Sequence, residues 1–93
     1  MTLMVKDPGT RIDFEIDWVA AYPDGQAVVA SVWTATPGEA GGVAIVGSAH
    51  DLMQATVTLA DGIAGHVYRV TNRVTMSDGQ IDERSVVVRV EER

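Results

Sequence analysis

Apolar and polar residues alternate along most of this chain. The clearest stretch is RIDFEIDW, residues 11–18, where Ile12, Phe14, Ile16 and Trp18 fall on one side and Arg11, Asp13, Glu15 and Asp17 on the other. Successive side chains of a strand point to opposite faces, so this alternation predicts a strand with one buried and one wet face. A helix would scatter the same apolar residues around its circumference. AVVASVWTA, residues 27–35, is β-branched and aromatic and predicts a second strand with Trp33 pointing inward. Turn signals at Pro23-Asp24-Gly25 and Pro37-Gly38 bracket it. In DLMQATVTLADG, Met53, Ala55, Val57 and Leu59 alternate with Gln54, Thr56, Thr58 and Ala60, and Asp61-Gly62 then turns the chain.

The pattern continues through HVYRVTNRVTMS. Tyr68, Val70, Val74 and Met76 share one face, and Val67, Arg69, Thr71, Arg73 and Thr75 share the other. Asp78-Gly79 is a hairpin turn signal, with Gly79 supplying the backbone conformation that other residues resist. Beyond it Val86, Val88 and Val90 face one side, with Val87, Arg89 and Glu91 on the other. The apolar run bracketed by Gly41-Gly42 and Gly47 predicts a weaker, shorter strand. Residues 1–10 read as an N-terminal arm with a turn at Pro8-Gly9. An edge strand, a mobile segment and a segment ordered by a partner are all open to that arm. No segment carries a convincing apolar period of about 3.6.

Six to seven short antiparallel strands separated by turns predict an all-β protein, a small β-sandwich formed by residues 11–93 as a single domain. The run DGIAGHVYRV sharpens the class. Its Asp61, Gly65 and Tyr68 resemble the tyrosine corner of immunoglobulin-like sandwiches, in which a tyrosine near the start of the penultimate strand bonds back to the preceding turn. Trp33 is then the core tryptophan of an earlier strand, and Trp18 and Gly79 join Tyr68 as structural positions. Two details depart from the usual pattern: Val70 stands two residues after the tyrosine in place of cysteine, and the glycine lies three residues before it instead of two. The expected fold is an immunoglobulin-like sandwich without a disulfide.

Composition narrows the functions. The 93 residues contain no cysteine, so disulfides and zinc–thiolate sites are excluded, which leans towards intracellular folding. No apolar run approaches the roughly 18 residues that a membrane span needs. MTLMVKDPGTR lacks the apolar core of a secretory signal, so the expected place of synthesis and assembly is the cytoplasm, or export by another route. A chain of this size buries only about 60–65% of its unfolded surface, so a partner that covers a face adds stability. The net charge of −6 lies entirely in residues 1–61, which hold two basic and eight acidic side chains; residues 62–93 hold five of each. An acidic surface repels phosphate backbones and argues against nucleic acid.

Candidate chemistry is sparse. Ser48, His50 and Asp51 are the residue types of a nucleophile and its base, but they cluster in one short stretch without a nucleophile elbow. A polar cap on a strand end accounts for them. His66 stands alone at a strand start. Asp13, Glu15 and Asp17 superficially have calcium-loop spacing, yet carboxylates two residues apart on a strand lie about 6.5–7 Å apart and diverge. A solvated face that discourages edge-to-edge pairing explains them. The glycine-rich GEAGGVAIVG lacks the lysine and helix of a phosphate loop. No catalytic, metal or cofactor site is expected. Arg69, Arg73, Val87 and Arg89 are left as interface candidates, on the faces opposite the Tyr68 and Val86 columns.

Taken with their spacing, IDW at 16–18, SVWT at 31–34, LADGIAG at 59–65, YRVTNRV at 68–74 and DERSVVVRVEER at 82–93 resemble the small phage and prophage fiber-tail adaptor or tail-neck proteins. The likeness covers about two-thirds of the chain and fades between Glu39 and Leu52, which reads as a specialised loop. It implies an immunoglobulin-like, non-enzymatic structural component of a tailed-phage virion. Such a component is assembled in the bacterial cytoplasm and acts within an oligomeric assembly of tail, neck, fiber or capsid proteins, without nucleic acid or membrane. The alternative is an immunoglobulin-like adhesion or binding module of a bacterial surface protein.

Overall fold

Each alternating segment becomes a strand whose apolar side chains meet those of a second sheet. The computed structural model describes residues 2–22 and 24–92. The strands are β1 (Thr2–Lys6), β2 (Ile12–Asp17), β3 (Val28–Thr36), β4 (Ala44–His50), β5 (Gln54–Ala60), β6 (Val67–Met76) and β7 (Ile81–Val90), with one short 3-10 turn at Val19–Ala21. They form a four-stranded sheet, β1-β7-β6-β3, and a three-stranded sheet, β2-β5-β4. Strands β2 to β7 pair antiparallel, while β1 joins the edge of β7 in parallel, with Thr2 opposite Val86 and Lys6 opposite Val90. Residues 2–6 of the arm are therefore an edge strand. Of the expected turn at residues 23–25, Pro23 lies outside the described residues; Gly25 takes φ +87°.

The core sits between the sheets. Val57 and Leu59 of β5 meet Val70 and Val74 of β6 and Val86 and Val88 of β7, all buried. Full burial of each such side chain contributes about 1.5–3 kcal/mol. Trp18 is fully buried and Trp33 nearly so. One polar residue shares this layer. Asn72 lies on the buried side of β6, accepts from Trp18 Nε1–H at 2.9 Å, and donates to Ser31 Oγ at 2.8 Å and to the Val32 carbonyl at 3.3 Å. Its amide ties both sheets together at the centre and keeps a buried indole N–H satisfied.

The weak segment between Glu39 and Leu52 is an ordered turn followed by β4. The small residues of β4 hid it from its alternation, and a bulge between Ile45 and Gly47 breaks its period against β5. Ser48 and His50 are thus strand residues, a correction to their reading as part of a loop. Asp51 follows them and caps the β4–β5 turn by accepting from the Met53 and Gln54 N–H groups at 2.7 and 2.8 Å. Those bonds hold its carboxyl below the ordinary range.

Candidate interaction surface

The outer face of the four-stranded sheet gathers the interface candidates. In β6, Arg69 lies opposite Val87 of β7, Val67 opposite Arg89, and Arg73 opposite Glu83. On the other flank Thr36 and Val32 of β3 lie opposite Arg69 and Arg73. β1 completes the face with Leu3 beside Val87 and Val5 beside Arg89. Val87 is half-buried among these neighbours. Leu3, Val32, Val67 and Ile81 are exposed by 56, 58, 50 and 56%. Arg89 meets Glu91 at 3.6 Å, whereas Arg69 and Arg73 form no ion pair among the described residues. The face therefore combines exposed apolar surface with two arginines that make no ion pair among the described residues, a mixture that protein interfaces favour.

Some of this face escaped the sequence reading. Leu3 and Val5 show no period in the sequence, because Leu3, Met4 and Val5 form an unbroken apolar run and the buried partner of Met4 on the inward side is Lys6. Val32 and Ile81 follow from the parity of Arg73 and Thr75, across which they pair. Val29, a further exposed apolar position, sits in a β3 bulge between Val28 and Ala30.

The opposite, three-stranded sheet shows a different outer face. Asp13, Glu15 and Asp17 line β2, beside Thr58, Thr56 and Gln54 of β5. Asp13 accepts from Thr58 Oγ1 at 2.7 Å, and Asp17 accepts from the Val19 N–H at 2.9 Å. Among the described residues no three His, Asp or Glu side chains converge as a metal ion requires.

The end of the sandwich where β6 starts is fastened by the tyrosine corner. Tyr68 is buried, accepts from the Ile63 N–H at 3.2 Å and donates to Glu39 Oε1 at 2.5 Å. His66, the lone histidine at the strand start, donates through Nδ1 to the same carboxylate oxygen at 2.8 Å. Bonding to Tyr68 first, and to His66 second, holds Glu39 below the ordinary carboxyl range. Burial and the Glu39 bond push Tyr68 up. Lys6 is buried nearby and donates to the carbonyls of Asp61 at 2.6 Å and Asp7 at 2.9 Å, locking β1 to the corner. Burial lowers its pKa, opposed by Asp61 and Asp7. At the other end Tyr22 donates to Asp82 at 2.7 Å, Arg84 lies 4.6 Å over the Trp18 ring, and Val19, Tyr22, Leu52 and Met53 line a shallow groove of about 230 Å³. Gly79 makes the β6–β7 turn at φ +90°.

Strand order, the parallel edge strand and the tyrosine corner define an immunoglobulin-like β-sandwich. A similar solved structure is the solution structure of the PKD domain from KIAA 1837 protein, with a TM-score of 0.60 at 21% identity over 100% of this chain and 83% of that chain. No curated protein matches the chain. The family model described as Podophage GP4 fiber-tail adaptor protein gp77 matches residues 6–89, and the chain belongs to that family. Membership identifies it with the phage fiber-tail adaptors and agrees with a structural role.

Proposed function

We propose that this chain is a non-enzymatic structural component of a tailed-phage virion, assembled in the host cytoplasm, that joins tail, neck or fiber parts through protein contacts. The outer face of the β1-β7-β6-β3 sheet is its contact surface. The observation that carries this reading is the pairing of Arg69 and Arg73, which lack an ion-pair partner among the described residues, with exposed Leu3, Val32, Val67 and Ile81 on one broad face. Desolvating arginines beside apolar side chains is productive when a partner supplies carboxylates and apolar cover. Ser48 and His50 sit on the edge strand β4 with no preorganised nucleophile–base bond: His50 Nδ1 lies 3.1 Å from the Asp51 carbonyl.

The test is co-purification with the tail and fiber proteins encoded by the same phage. Wild-type chain should retain at least one of them, and Arg69→Glu/Arg73→Glu should lose it while keeping its near-ultraviolet spectrum. Equal retention by the folded variant would overturn the assignment of this face.

A further inference from the structure

The two outer faces carry opposite charge. On the four-stranded sheet Arg69, Arg73 and Arg89 stand against Glu83 and Glu91, a balance of +1. On the three-stranded sheet Arg11, Asp13, Glu15 and Asp17 give −2. Neither Arg69 and Arg73 nor Asp13, Glu15 and Asp17 form an ion pair among the described residues. The spacing also matches. Arg69 and Arg73 are four residues apart on one strand, as are Asp13 and Asp17, and each pair is therefore about 13–14 Å apart. Sheets that pack face to face keep their strands within about 30° of one another, so both arginines can meet both aspartates at once.

We infer that a second copy of this chain docks its acidic β2–β5 face onto the basic, valine-rich face of the first. This rests on the reading of that face as a contact surface and names one partner for it. Next to the acidic column, β5 and β4 present Thr56, Thr58 and Ala49. These short side chains leave room for a valine from a strand flanking the arginine column, Val87 of β7 or Val32 of β3, to approach closely. The molecule measures 42 by 20 Å across its broad face, which provides room for the about 800 Å² per partner of a standard interface. The contact joins two different patches, so it does not saturate in a dimer. It propagates from copy to copy until the arrangement closes or runs open. Opposite charge on the two faces also fixes the polarity of stacking, because like faces repel.

The experiment is sedimentation of the full chain at 0.1 M and 1 M salt, between which the screening length falls from about 10 to 3 Å. The wild type should exceed its 9.9 kDa monomer mass at low salt in a concentration-dependent way and approach it at high salt. Arg69→Glu/Arg73→Glu makes both faces acidic, and Asp13→Lys/Asp17→Lys makes both basic. Each variant alone should stay monomeric, and an equal mixture of the two should recover the wild-type mass. A wild-type monomer at low salt, a closed dimer indifferent to Asp13→Lys/Asp17→Lys, or folded variants that fail to recover on mixing each overturns the inference. Capture of tail or fiber protein by a chain that does not self-associate leaves the adaptor reading standing and removes only this one.

Discussion

Asn72→Ala tests how the two sheets are joined. The substitution removes the acceptor of the Trp18 Nε1–H bond and both bonds donated by the amide. These losses are unequal. Ser31 is only half-buried, so its hydroxyl turns to water at little cost. Trp18 is fully buried, and no solvent reaches its N–H. An orphaned buried donor costs about 1–3 kcal/mol. The space left by the amide adds about 1 kcal/mol. The expected loss is about 2–4 kcal/mol, from a total of about 5–14 kcal/mol for a domain of this length. At about 4–8 °C per kcal/mol the melting temperature falls by about 8–30 °C. Guanidinium unfolding followed by tryptophan fluorescence and far-ultraviolet circular dichroism measures it. In a Trp18→Phe background the N–H is already gone, so Asn72→Ala should cost at least about 1 kcal/mol less. A loss under about 0.5 kcal/mol, or strict additivity with Trp18→Phe, would refute a bonded pair at the centre of the core.

Tyr68→Phe deletes the corner hydroxyl that Ile63 and Glu39 share, and should lower the unfolding midpoint in guanidinium. It should also flatten the acid limb of the stability curve. Because Glu39 titrates lower in the fold than in the unfolded chain, its stabilisation is present at neutral pH and is lost as the pH falls below about 4.5, the ordinary carboxyl value; melting curves from pH 6 to 3 check this, and parallel wild-type and variant curves would contradict it. Gly62→Ala should destabilise by about 2–4 kcal/mol through strain and overpacking, since φ is +120° and an added Cβ meets Val90 Cγ2 at 2.7 Å and Val43 Cγ2 at 3.1 Å. Gly79→Ala meets open space at φ +90° and should cost only about 1–2 kcal/mol, the backbone term alone, so equal urea midpoints for the two variants would contradict the packing argument.

Much of this was legible in the amino-acid order, for a simple reason. A sheet buried on one side prints its period on the sequence, and β2, β5, β6 and β7 all show it. The same parity places Arg69, Arg73 and Arg89 outward, so the candidate face was readable in outline. It also places Asn72 in the buried column of Tyr68, Val70, Val74 and Met76, but a polar residue there interrupts the apolar pattern, and its partner Trp18 lies 54 residues away. β1 was obscured because its inward residues are Met4 and Lys6, and a buried lysine is readable only once the Asp61 and Asp7 carbonyls are in place around it. Glu39 is invisible as a corner partner for the same reason: 29 residues separate it from Tyr68. β4 was weak because glycine, alanine and a bulge leave little period to see. Local alternation reports which way a side chain points; it says nothing about what meets it there.

The most direct test of the adaptor account is quantitative binding between this chain and the tail and fiber proteins of its own phage, with wild type and Arg69→Glu/Arg73→Glu compared at 0.1 M salt. The account predicts saturable binding to at least one of them and a loss of at least about tenfold in the folded double variant, about 1.4 kcal/mol. Binding to none of them, or undiminished binding by the variant, would contradict it.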